Sequence, residues 1–177
     1  MGRKPTITRD GLLDVAEELV REQGGSALTI GALAKAAGIS KGGVQYSFAN
    51  RDDLVSSLID RWTSLFDAML DETSANNPVN FIRSYIKAMR TAQQAMDAKI
   101  AGLMVSYLEN PENLRETRNW YRGMFNRLDG ESPDAQAARV AFLAVEGLFL
   151  LRINGIGEAG DWTSFLNDVD AVLSRLI

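Results

Sequence analysis

The sequence predicts an all-α protein of about nine helices. Three capping side chains stand directly before a proline, whose missing N–H is harmless at the first helical position: Asn77-Pro78, Asn110-Pro111 and Ser132-Pro133. Glycines stand where helices should end, at Gly24-Gly25, at Gly130 and in the 155–160 region. No segment alternates apolar and polar residues between turn signals, so no sheet is expected.

The first four helices follow from their caps and apolar spacing. The first should run from about Thr8 to Gln23, with apolar residues recurring on one face from Leu12 to Val20. Thr29 and Ser40 can cap two short helices. Asn50, followed by acidic residues, can cap a long helix to about Glu72, whose continuous apolar stripe allows it to belong to both halves of the molecule.

Five further helices are expected after Pro78, and the last two have the most apolar surface. The helix from Pro133 to about Asn154 is apolar on all sides, so it must be buried against its own domain and against something else. The last helix, from Trp162 to Leu176, has a second wide apolar face. A symmetric four-helix interface formed by these two helices in a homodimer accounts for both.

The composition excludes several kinds of protein. The chain of 177 residues has no cysteine and no histidine, which removes disulfides, thiolate zinc sites and the commonest general base. We therefore expect no enzyme, no catalytic or metal site and no cofactor. The longest nearly apolar run, 140–151, is 12 residues long and too short to span a bilayer, and no signal peptide is evident, so a cytoplasmic protein without a membrane partner is expected.

Residues 29–54 have the spacing of a helix-turn-helix. Ala34, Gly38 and Val44 stand where two crossed helices need a small residue, a turn glycine and a β-branched core residue. No Asp or Glu occurs from Gln23 to Arg51. Residues 1–51 have a net charge of +2 and residues 52–177 one of −6, an asymmetry that favours binding of a polyanion by the first part only.

The same stretch resembles the DNA-binding domain of the tetracycline-repressor (TetR) family. The resemblance lies in the run Gly38-Ile39-Ser40-Lys41-Gly42, followed by Tyr46, Phe48, Arg51 and Leu54. It implies a helix-turn-helix DNA-binding domain in residues 1–52 and a helical ligand-binding and dimerisation domain in residues 53–177. The implied partners are a double-stranded DNA operator, a small-molecule effector and a second copy of the chain.

In a helix-turn-helix, the start of the second helix enters the major groove of DNA. The residues placed there are Ser40, Lys41, Gly42, Gly43, Gln45 and Tyr46. Lys41 can donate to guanine or phosphate and Gln45 can pair with adenine, so these two are the candidates for base contacts. Gly42 and Gly43 indicate either close approach to DNA or a loosely wound helix held by packing.

Other DNA contacts are expected at the edges of this unit. Thr29 is a further candidate at the start of the preceding helix, and Tyr46 and Arg51 resemble the family's phosphate contacts. Arg3 and Lys4 can form an arm along the DNA backbone or in the minor groove, or a solvated charged terminus. Gln45 and Ser47 depart from the aromatic residue and histidine common in the family, so the operator sequence does not follow from the resemblance.

The resemblance also implies an effector pocket among the helices of the C-terminal part. The candidate lining residues are Trp62, Phe66, Tyr85, Met89, Met104, Tyr107, Trp120, Tyr121, Phe125, Phe142 and Glu146. Methionine and aromatic side chains at helical spacing also fit an ordinary core. If these residues line a pocket, they indicate a mostly apolar effector. Glu146 interrupts an apolar run, so it should either anchor a cationic or hydroxylated ligand or pair with Arg139, Arg152 or a basic residue across the dimer.

These observations favour a homodimeric, ligand-responsive transcriptional regulator, most simply a repressor of a palindromic operator. The alternative is a helical dimer that uses its helix-turn-helix as a protein-docking surface without regulated DNA binding. A helical enzyme would have to use carboxylates such as Glu146, with Arg152 or Asp97.

Overall fold

The computed structural model describes residues 7–70, 77–95, 98–108, 110–156 and 161–177. These residues form helices and no strand, so the predicted all-α fold is confirmed. The helices are α1 Arg9–Gln23, α2 Ile30–Ala37, α3 Lys41–Ser47, α4 Arg51–Met69, α5 Pro78–Ala95, α6 Ala98–Leu108, α7 Pro111–Arg127, α8 Pro133–Ile153 and α9 Asp161–Leu176, with a 3-10 helix at Gly25–Ala27.

The predicted caps Thr29, Ser40 and Asn50 lie at the helix starts, and Thr8 caps the first helix. Thr8, Thr29 and Ser40 each accept a hydrogen bond from the backbone N–H three residues later. The Oδ1 atom of Asn50 accepts from the N–H of Asp53 at 2.9 Å. The long fourth helix ends at Met69, before the predicted end at Glu72, which lies outside the described residues. None of the described helices is long and apolar enough to cross a membrane.

Buried apolar side chains form two clusters. The head cluster consists of Leu12, Leu13, Ala16, Leu19, Val20, Leu28, Leu33, Ala34, Val44, Phe48, Leu54, Val55, Leu58, Ile59, Ile100, Leu103 and Tyr107. The body cluster consists of Leu70, Phe81, Ile82, Tyr85, Ile86, Ala88, Met89, Met124, Leu128, Ala137, Ala138, Ala141, Phe142, Val145, Leu166 and Leu173. The N-terminal part of α4 belongs to the first, and Phe66 and Leu70 pack in the second, so α4 connects them.

The last two helices pack against each other and against α5. The α8 residues on one side, including Phe142 and Val145, are buried in the body cluster. Val140, Leu143 and Leu150 on another side are more than half exposed. The protomer therefore buries only part of this apolar helix.

Candidate functional site

The turn between α2 and α3 has the geometry that a helix-turn-helix needs. Gly38 adopts the left-handed conformation, with φ 67° and ψ 28°. Residues with a side chain rarely adopt this conformation, whereas glycine adopts it readily. The N–H of Ile39 donates to the carbonyl of Ala34 at 3.0 Å, which closes the end of α2. Ser40 then caps α3 immediately after the turn. The three residues set the crossing of the two helices.

α3 has one buried and one exposed face. Val44 and the residue after the helix, Phe48, are completely buried in the head cluster. Lys41, Gly42, Gly43 and Gln45 are exposed, and Tyr46 is 94% exposed. A large aromatic side chain so fully in solvent contributes nothing to the core, so this face is available to a partner. The structure therefore brings the candidate contacts on α3 to one surface.

Lys41 and Thr29 lie together at the start of α2. A Cβ atom on Gly31 would come within 3.2 Å of Lys41 Cε, so the lysine side chain lies over the first turn of α2. Thr29 caps that turn and is itself exposed. A cationic side chain beside a helix N-terminus, whose first N–H groups carry partial positive charge, favours an anion such as a phosphate.

Arg51 is directed inward rather than to the surface formed by α3. Its Nε donates to the carbonyl of Leu28 at 2.9 Å, and one terminal nitrogen donates to the carbonyl of Gly25 at 3.0 Å. The N–H of Leu28 also donates to the carbonyl of Gly25, so Arg51 adds a second donor there and links the start of α4 to both ends of the 3-10 helix. The structure thus gives Arg51 a role in fixing this turn. Arg3 and Lys4 lie outside the described residues.

The 3-10 helix also packs directly on α6, a contact that sequence reasoning missed. A Cβ atom on Gly25 would come within 3.0 Å of the side chain of Leu103. Ile100, Leu103 and Tyr107 of α6 are buried in the head cluster. A glycine at position 25 indicates that another element packs closely on the backbone there. Nothing in the sequence identifies that element as α6.

Six of the effector candidates form one connected set of rings, which we call the ring group. The centroids of Tyr85 and Phe142, and those of Trp120 and Tyr121, are 5.0 Å apart, and the other neighbouring pairs are 5.3–6.4 Å apart. The members of the ring group are Phe66, Tyr85, Trp120, Tyr121, Phe125 and Phe142. They come from α4, α5, α7 and α8.

Glu146 lies against this ring group. The hydroxyl of Tyr85 donates to one carboxylate oxygen and that of Tyr121 donates to the other. Burial, and then the charge of Glu146, raise the pKa of both tyrosines far above the usual value, so both hydroxyls remain protonated donors at neutral pH. The sequence leaves two roles open for Glu146: to anchor a cationic or hydroxylated ligand, or to pair with Arg139, Arg152 or a basic residue across the dimer. Arg139 instead donates to the carbonyls of Leu128 and Gly130.

The remaining effector candidates lie elsewhere. Met104 and Tyr107 pack in the head cluster, as does Trp62, whose indole N–H donates to Glu17 at 3.0 Å. Met89 is buried in the body cluster. Two cavities in the described part of the chain also lie outside the ring group: one is a groove between α1 and α4, and the other is a recess of about 220 Å³ among α4, α6 and α7.

Comparison with known proteins matches both parts of this architecture. Residues 79–173 match the family model described as tetracyclin repressor-like, C-terminal domain, and residues 12–58 match that of the bacterial regulatory proteins of the tetR family. The chain belongs to the TetR family. The resemblance seen in the sequence is thus confirmed, and the chain is a transcriptional regulator with a DNA-binding fold rather than an enzyme.

Individual relatives agree with this assignment. The HTH-type transcriptional regulator AcrR of Shigella flexneri is 41% identical over 51 residues, which are 29% of this chain and 24% of AcrR. The match therefore spans about a quarter of that relative's length.

Two solved structures of regulators have a similar fold over nearly the whole chain. A TerR/AcrR-family transcriptional regulator from Aquifex aeolicus VF5 has a TM-score of 0.69 at 14% identity, covering 96% of this chain and 99% of that one. The fatty acid degradation regulator FadR from Bacillus halodurans has a TM-score of 0.58 at 19% identity, covering 98% and 96%.

Proposed function

We propose that this TetR-family protein is a homodimeric repressor that binds a palindromic DNA operator and is released by a small, mostly apolar effector. The observation that carries the proposal is the exposed face of α3, where Tyr46 is 94% exposed beside Lys41 and Gln45. We assign DNA binding to residues 1–52 and effector binding and dimerisation to residues 53–177. A protein that regulates genes in this way acts in the cytoplasm.

The apolar surface of α8 and α9 supports the homodimer. Val140, Leu143 and Leu150 on α8 are 55–62% exposed, and Phe165 and Val172 on α9 are 44–50% exposed. Two such faces related by a twofold axis would bury each other and place two α3 helices on one face of the DNA, about 34 Å or a wider multiple apart. A palindromic operator matches that symmetry.

The contacts of α6 support a connection between effector and DNA. α6 packs against the 3-10 helix through Leu103 and Gly25, and Arg51 holds the same 3-10 helix from the start of α4. A rearrangement of the body that displaces α6 or α4 would therefore change the orientation of the head. The effector reduces operator occupancy only if it binds the non-binding conformer more tightly.

Titration of labelled fragments from the upstream intergenic region, followed by fluorescence anisotropy, tests this function. We expect tight, saturable binding of one fragment, weakened about 100-fold or more in a Lys41→Ala, Tyr46→Ala variant, because each lost contact contributes about 1–3 kcal/mol. The control is Lys87→Ala, which removes the same charge from an exposed site on α5. Weak binding of all fragments that both variants leave unchanged would favour the protein-docking alternative.

Gly42→Ala separates helix stability from DNA contact. A Cβ atom at Gly42 meets no protein atom closer than 3.9 Å, so alanine fits the free protein and should stabilise it by about 0.4–1 kcal/mol. If α3 approaches DNA closely at this glycine, the same methyl group should weaken operator binding at least ten-fold. Thermal unfolding and anisotropy on the same sample measure the two effects. Higher stability with unchanged DNA affinity would contradict close approach at Gly42.

A further inference from the structure

The carboxylate of Glu146 lies among aromatic rings without a cationic partner in the described part of the chain. Its hydrogen-bond donors are the neutral hydroxyls of Tyr85 and Tyr121. No ion pair formed between described residues includes Glu146. A carboxylate has about four acceptor sites, of which two hydroxyls occupy two. The hydroxyls orient the group but leave its charge uncompensated.

A second carboxylate faces the same rings from α4. The Oδ1 atom of Asp67 accepts from the indole N–H of Trp120 at 3.0 Å. Its charge also contributes to the raised pKa of Tyr85, which places it in the electrostatic surroundings of Glu146. Among the described residues, both carboxylates accept hydrogen bonds from neutral donors, and two such charges favour a negative potential at the ring group.

The aromatic rings themselves favour a cationic ligand. The face of an aromatic ring attracts a cation within about 6 Å of its centroid, and the attraction strengthens where water is excluded. Tyr85 and Phe142 are almost fully buried, whereas Phe125 is 45% exposed. The ring group therefore runs from two buried rings, next to the partly buried Glu146, to a rim in contact with solvent.

The packing of α7 indicates how a ligand can reach the ring group. Within the described residues, the backbone of α7 approaches that of α6 more often than those of α5 and α8. Side chains of α7 make its contacts with the other rings: Trp120 packs on Phe66 of α4, and Tyr121 and Phe125 pack on Phe142 of α8. Space beside Glu146 would therefore open by a change of rotamer in these side chains more readily than by separation of closely packed backbones.

We propose that the ring group binds an organic cation, whose ammonium group pairs with Glu146 and whose apolar substituent lies among the rings. The proposal rests on the proposed function, since it names the chemical class of the effector for that site. A neutral apolar effector would use the rings but not the carboxylates. Charge is therefore the property to test.

The test compares two probes of the same shape and different charge, phenyltrimethylammonium and tert-butylbenzene, by isothermal titration calorimetry. Wild-type protein should bind the cation at least ten-fold more tightly than the neutral hydrocarbon. Equal affinities, tighter binding of the hydrocarbon, or no binding of the cation would overturn the proposal.

Glu146→Gln should weaken binding of phenyltrimethylammonium at least ten-fold and change binding of tert-butylbenzene by less than two-fold. The matched control is Glu131→Gln, which removes the same charge from an exposed loop residue and should leave both affinities unchanged. Asp67→Asn provides a second variant at an exposed position and should weaken cation binding at least three-fold. If either Glu146→Gln or Asp67→Asn leaves the affinity for phenyltrimethylammonium unchanged, the carboxylates do not attract the cation and the proposal is overturned.

The operator titration on the same proteins keeps the two proposals distinguishable. Wild-type protein that selects the cation but binds no DNA fragment would contradict the proposed function and leave the cation site standing. Protein that binds one fragment tightly but does not discriminate between the probes would retain the regulator and overturn the cation site. If the protein binds one fragment tightly and also selects the cation, phenyltrimethylammonium should release the DNA fragment from the protein. The Glu146→Gln variant should need at least ten-fold more phenyltrimethylammonium for the same release.

Discussion

Leu143→Glu is expected to convert the protein to a monomer and to abolish tight operator binding. Leu143 is 58% exposed on the apolar side of α8 that we assign to the dimer interface. Because a twofold interface contains each residue twice, the substitution would bury two uncompensated charges, each at a cost of several kcal/mol. We expect the dimer dissociation constant to rise about 1,000-fold or more. Sedimentation velocity over a range of concentrations measures it.

The control for this prediction is Leu65→Glu. Leu65 is 52% exposed and lies on α4 at the groove between α1 and α4, away from α8 and α9. The same substitution at a similarly exposed leucine should leave the dimer intact. A dimeric Leu143→Glu protein with wild-type operator affinity would place the dimer interface elsewhere.

Phe48→Ala is expected to destabilise the head severely. Phe48 is completely buried in the head cluster, and the guanidinium of Arg9 lies 4.8 Å from its ring centroid. Removal of a buried phenyl group leaves a cavity and costs about 3–5 kcal/mol, a large part of the stability of a small domain. Denaturant unfolding measures the change in the free energy of unfolding. DNA binding should be lost with the fold, since the ring holds the end of α3 in place.

Tyr46→Ala is the matched control, because this aromatic residue is two positions earlier and faces outward. Its removal should change the free energy of unfolding by no more than about 0.5 kcal/mol while weakening operator binding. The two variants thus separate packing from recognition on one short helix. A large loss of stability in Tyr46→Ala, or a small one in Phe48→Ala, would reverse the assigned faces of α3.

The helix starts, the turn and the exposed face of α3 could be predicted because they depend on local chemistry. Thr29, Ser40 and Asn50 cap the helices that follow them, and a hydroxyl or amide needs only a nearby N–H to do so. Gly38 adopts the left-handed conformation that the turn requires. The apolar excess on α8 likewise indicated that one side needs a partner outside the protomer.

Assignments that depend on distant partners did not follow from the sequence. Arg51 binds carbonyls 23 and 26 residues away instead of facing outward, and Met104 and Tyr107 lie in the head cluster rather than with the other effector candidates. Sequence spacing shows which face of a helix is apolar, but not which other helix covers it.

The sequence by itself determined the helical fold, the helix-turn-helix and the family, because these follow from caps, periodicity and a local motif. Only the tertiary structure decided that α6 packs on the head and that two tyrosines, from α5 and α7, hold Glu146. These contacts join residues 25 and 61 positions apart in the chain, so they depend on how whole helices pack. Local propensity contains no information about such packing, which is set by the complementary shapes and charges of complete helix surfaces.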